Sequence, residues 1–260
     1  MKIPETTLKQ LGFKFGKNGA HSARTTMLDE LVVLFERTGI ETAKAAYISD
    51  IVDYNILNKG TDKSRMLTCR HLVDLYTLDV KYPLFRVFRQ LWDIDPQAQP
   101  LLALQIALTR DPILRLSSSL ILEASIGEHI ARERMEEVFA ENEPGRYSPA
   151  SLKSIAQNVN GSWTRAGYLQ GRVKKIRSLP YISPVNVIYA LFRAYLLGAT
   201  GERLLTNPGT RLLGLPTDRL LDMTASASHR GLIDFRHSGG VIDIRFPDFL
   251  TAEEQEWLHE

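Results

Sequence analysis

From His21 to about Ala140, apolar positions recur every three or four residues, the period of helices with one buried face. In residues 25–39, Leu28, Leu31, Val32 and Phe35 form such a stripe. Ser22 or Thr25 is placed to cap this helix, and Gly39 to end it. Residues 41–57 put Ala45, Ile48, Ile51 and Val52 on one face. Thr61 caps the next helix, with Met66, Cys69, Leu72 and Val73 inward. Pro83 opens a helix carrying Leu84, Val87, Phe88 and Leu91, and Pro96 and Pro100 interrupt the pattern. Helices from Leu101 and from Asp111 to Phe139 follow, with little strand signal before residue 170.

The pattern changes after the polar Glu141–Gly145 turn. Leu152, Ile155, Ala156 and Val159 predict a helix capped by Ser148, with Lys153 and Gln157 facing out. Asn160-Gly161 reads as a tight turn, because both residues tolerate positive φ. Ser162 then caps a second short helix, and residues 169–177 read as a cation-rich strand. That order is a winged helix-turn-helix. Ser183-Pro184 starts an apolar helix to Gly198. A helix from Thr217 and a hairpin around Ser238-Gly239-Gly240 predict a second winged helix, followed by a short acidic helix. The expected fold is mainly α: a flexible arm at 1–20, a helical bundle at 21–143, and the basic helix-turn-helix and C-terminal winged helix at 144–260.

Charge sharpens the picture. The chain carries a net +2, yet residues 144–216 hold ten Lys/Arg against one acid, Glu202, a local net charge of +9. Such asymmetry suggests a polyanionic partner, and double-stranded DNA fits the helix-turn-helix pattern. The candidate contacts are Lys153, Asn160, Ser162, Thr164, Arg165, Arg172, Lys174, Lys175 and Arg177. Ser162, Thr164 and Arg165 are placed to reach base edges, and the cations after them to reach phosphates. Trp163 reads as core. His229, Arg230, Arg236 and His237 are a secondary set, opposed by Asp234, Asp243 and Asp248.

Other classes find little support. One cysteine, Cys69, excludes an intrachain disulfide and fits a cytoplasmic location. The N-terminus has no apolar stretch of a secretory signal. Residues 184–200 are shorter than the about 20 residues that span a bilayer and carry Arg193 centrally, so we expect a core helix and no membrane. No phosphate-binding loop, nucleophile elbow or HExxH pattern is present, and no catalytic residue, metal or cofactor is expected. Glu123, Glu128 and His129, on a helix with Arg132 and Arg134, read as surface ion pairing. A protein-interaction adaptor and a transcription regulator are the alternative readings.

At residues 148–171, Ser-Pro-x-Ser-Leu-x-x-Ile-Ala-x-Asn followed by Ser-Trp-x-x-Ala-Gly-Tyr-Leu-x-Gly resembles BrxA, a protein of bacteriophage exclusion (BREX) phage-defence systems. The helical N-terminal half, the apolar helix after Pro184 and the terminal hairpin agree with it. The resemblance implies a mostly helical antiviral-defence protein that binds duplex DNA beside a methyltransferase, an ATPase and a phosphatase-like protein. It also implies a bundle similar to the antitermination factor NusB, which leaves RNA open as a ligand.

Overall fold

The computed structural model describes residues 3–258. The chain runs through α1 (Glu5–Gln10), α2 (Leu28–Glu36), α3 (Lys44–Val52), α4 (Asp62–Tyr76), α5 (Pro83–Trp92), α6 (Gln99–Arg110), α7 (Pro112–Leu116) and α8 (Ser118–Glu123). Strand β1 (His129–Ile130), α9 (Arg132–Asn142), α10 (Pro149–Arg165), β2 (Leu169–Gln170) and β3 (Lys175–Arg177) follow. Then come α11 (Pro184–Leu196), α12 (Arg203–Thr206), α13 (Pro208–Arg211), α14 (Thr217–His229), β4 (Asp234–Ser238), β5 (Val241–Arg245) and α15 (Ala252–Glu256). The fold is mainly helical with two small antiparallel sheets, as the hydrophobic periods predict.

The chain divides into two compact units. One comprises the residues through Phe13, Tyr82–Gln105 and the chain from Tyr181 onward. Its centre is α11, in which Val185–Ala194 are all buried, Arg193 included. Apolar residues all round mark a core helix. Phe88 of α5 meets Tyr189 at 6.0 Å, and Phe192 meets Phe249 at 5.2 Å. Two buried polar side chains of this core bond to backbone carbonyls: Tyr189 Oη donates to the Leu84 carbonyl (2.9 Å), and Asn186 Nδ2 to the Ala98 carbonyl (3.1 Å). In this unit, α14 and the β4–β5 hairpin are the helix and the hairpin expected at the C-terminal end. Of the residues expected as a flexible arm at 1–20, those through Phe13 belong here, and Lys14 onward to the other unit. Ile3, Leu8, Leu11 and Phe13 are buried, α1 is helical, and the Leu84 N–H donates to the Leu11 carbonyl (3.2 Å), so the segment is anchored rather than free. Among the described residues no helix is long and apolar enough to cross a membrane.

The other unit comprises Lys14–Lys81 and Ile106–Pro180. Three expectations are corrected in it. The helix expected from Asp111 to Phe139 is α7, α8, β1 and α9, so Glu128 and His129 lie in a turn and a strand, although Glu128 does pair with Arg134 (2.9 Å). The boundary expected after Glu143 lies inside this unit, as the turn between α9 and α10.

The third correction concerns residues 148–168. They do not form two helices separated by Asn160-Gly161; α10 runs unbroken to Arg165. Glycine inside a helix costs about 1 kcal/mol against alanine, and tertiary packing offsets it. Ile155, Ala156, Val159, Ser162 and Trp163 continue one buried stripe through the expected turn. Gly161 admits a close neighbour, since a Cβ there would lie 3.3 Å from Thr25 Cγ2.

A winged helix-turn-helix is nevertheless present, one helix earlier than expected. After α8 come β1, α9, a turn, α10, and the β2–β3 hairpin, and the sheet order is β1-β3-β2. His129 pairs with Ile176, and Leu169 with Arg177. These are the element order and strand pairing of a winged helix. Its helix-turn-helix is α9–α10, the second helix is the whole of α10, and its wing is residues 169–177.

Candidate nucleic-acid interface

Ser148 opens α10. Its Oγ accepts the Ser151 N–H at 3.2 Å, and Pro149 occupies the first helical position. The first two turns expose Ala150, Ser151, Lys153, Ser154 and Gln157, while Ile155, Ala156 and Val159 face the core. A helix end with small, polar and basic side chains outward suits a major groove. Ser151 and Ser154 were not among the expected contacts. Once α10 is taken as one helix, the Ser148-Pro149 start signal identifies them.

The wing carries the cations. Arg172 and Lys174 are exposed, Val173 is 93% exposed at the tip, and Lys175 is half-buried with Nζ donating to the Gly171 carbonyl at 2.7 Å. Burial pushes the Lys175 amine pKa down. Gly171 has φ +92°, and a Cβ there would collide with the Lys174 carbonyl oxygen, so this tight tip requires glycine. Residues 172–174 loop, which frees Arg172 and Lys174 from the two-faced alternation of a strand.

Several expected contacts are placed elsewhere. Arg177 is 6% exposed, and its guanidinium donates to the carbonyls of Ile121 (2.7 Å), Tyr168 (3.3 Å) and Ser178 while lying over the Tyr168 ring. Strand alternation turns it inward, where it ties α8 to the sheet. Asn160 and Ser162 are buried by the stripe that keeps α10 unbroken. Thr164 is half-buried, its hydroxyl donating to the Asn160 carbonyl at 2.6 Å. Arg165 is exposed but ends the helix instead of starting one, and it pairs with Asp29. Lys153, Arg172, Lys174 and Lys175 therefore remain as surface cations on α10 and the wing.

Ser162 belongs to an arrangement that the sequence did not reveal. Asp111 Oδ2 lies 2.8 Å from His21 Nδ1, and His21 Nε2 lies 2.8 Å from Ser162 Oγ. This is the connectivity of a catalytic triad, but none of the three is more than 1% exposed. Ser162 Oγ also accepts the Thr26 N–H (2.9 Å) and donates to the Asn158 carbonyl (3.1 Å). A nucleophile so enclosed meets no substrate. The network instead fastens α10 to residues 21–26 and to α7. Burial pushes the Asp111 carboxyl pKa up, but the His21 ring, the His21 N–H and the Leu114 N–H outweigh it and bring it down to about 2.

In the other unit, His229 and Arg230 end α14, and Arg236 and His237 lie on β4, all exposed. Acids interleave with them. Arg236 is opposite Asp243 across the hairpin, and Arg245 bonds Asp243 at 2.9 Å. This face is far less cationic. Among the described residues no group of three or more His, Cys, Asp or Glu is placed to hold a metal ion. No protein-family model matches the chain, and no curated protein matches it.

Proposed function

We propose that the winged helix of residues 118–177 binds double-stranded DNA. The first turns of α10 lie toward the major groove, and Arg172, Lys174 and Lys175 of the wing meet backbone phosphates. One observation carries this reading: no Asp or Glu occurs between Glu143 and Glu202, so recognition helix and wing carry cations and no carboxylate of their own. Base readout falls to Ser151, Ser154 and Gln157, with Lys153 able to reach a guanine or a phosphate. Affinity is dominated by phosphate contacts and falls steeply with salt. The resemblance to BrxA extends the proposal to a cytoplasmic accessory role in a BREX-type defence assembly. A titration of a duplex against the purified chain at several salt concentrations tests it; no binding at low salt rejects it.

A further inference from the structure

A cleft of 560 Å³ opens beneath the wing, between the start of α9 and the middle of α10. Its volume is in the range of small-molecule sites, about 300–1,000 Å³. Arg172, Val173 and Lys175 of the wing line it together with His129 and Ile130 of β1 and Asn160 of α10. Arg132 and Glu133 also line it and are bonded to each other at 2.7 Å, so they add no net charge. The remaining charged side chains are cations.

Asn160 is the unexplained group. It is 4% exposed, and its Oδ1 has no hydrogen-bond partner. An unpaired buried amide oxygen costs about 1–3 kcal/mol, so natural folds rarely leave one without use. Rotation about the Cβ–Cγ bond exchanges the two ends of the amide, so Asn160 can offer a ligand either a donor or an acceptor.

We propose that this cleft binds a nucleoside monophosphate, with the phosphate held by Arg172 and Lys175 and the base edge paired to the Asn160 amide. Val173, exposed at the tip, supplies apolar surface for the sugar and base. Each part of the ligand answers a feature of the cleft: an anion for the cations, a hydrogen-bonding base edge for the amide, and an apolar face for Val173. The Lys175 amine, half-desolvated in the free protein, gains an anionic neighbour. The nucleotide phosphate and a duplex phosphate draw on the same two cations, so the test is made without DNA.

Calorimetric titration of AMP into the full chain, without DNA and at low salt, tests this. One saturable site is expected. Arg172→Ala with Lys175→Ala should weaken it at least tenfold, and both changes lie on the surface hairpin. Ribose 5-phosphate, which lacks the base, should bind the unaltered protein at least tenfold more weakly than AMP, a comparison that needs no variant of buried Asn160. No saturable binding, or equal affinity for AMP and ribose 5-phosphate, overturns the proposal. A protein that binds a duplex but not AMP overturns it and leaves the DNA reading standing.

Discussion

His21 Nε2 lies 2.8 Å from Ser162 Oγ, and neither side chain reaches solvent. The pair is 141 positions apart in sequence and joins the recognition helix to a short turn near the N-terminus. Ser162→Ala removes one partner from His21 and from the Thr26 N–H at once. The expected cost is about 1–3 kcal/mol, the penalty for stranding buried polar groups. Urea unfolding measures it. A loss below about 0.5 kcal/mol, the scale of ordinary surface substitutions, contradicts a structural role.

The same network makes stability depend on acid. The Asp111 carboxyl has a folded pKa of about 2 against 3.8 for the free group. A lowered folded pKa means that the contribution is full above the unfolded value and is lost as pH falls from there toward 2. At ~1.4 kcal/mol per unit the contribution is about 2 kcal/mol. The urea midpoint should fall between pH 5 and pH 2, and Asp111→Asn should flatten that decline. An equally steep decline in the variant removes Asp111 as its source.

Lys174→Glu with Lys175→Glu should weaken binding to every duplex and shrink the salt slope by roughly one per lost phosphate contact. Gln157→Ala, on the exposed face of α10, should instead change preference among duplexes. Competition assays with duplexes of differing sequence separate the two outcomes. Uniform loss for Gln157→Ala moves it from base readout to backbone contact.

Arg165→Ala should change duplex affinity less than twofold. The side chain stands at the end of α10 away from Ser148 and pairs with Asp29, so it begins already neutralised. A loss of tenfold or more places the DNA at the C-terminal end of the helix and rejects the orientation proposed above.

The local signals in the sequence were legible because they act through near neighbours. Thr61 caps α4 as expected, Pro83 and Pro184 open their helices, and Gly239-Gly240 turns the C-terminal hairpin. Helix faces were less legible, because periodicity gives a stripe but not its exact angle. Ile48 and Met66, expected inward, are exposed, while Tyr47 and Thr68 are buried. Asn160-Gly161 carries a turn signal, yet the apolar stripe through Trp163 overrides it. That override moves the recognition helix, and with it most of the candidate site. Strand β1, two residues long, gives no periodic signal, although its pairing with β3 defines the winged helix. The contacts of Ser162 and Arg177 reach distant segments, which no local pattern encodes.

The most direct test of the central claim is a fluorescence-anisotropy titration of a random 30-base-pair duplex at several salt concentrations, run on the unaltered chain and on Lys174→Glu with Lys175→Glu. The account predicts saturable binding at low salt, a log–log slope of several phosphate contacts, and a shallower slope with weaker affinity in the variant. Absence of binding at low salt, or a folded variant with unchanged affinity and slope, contradicts it.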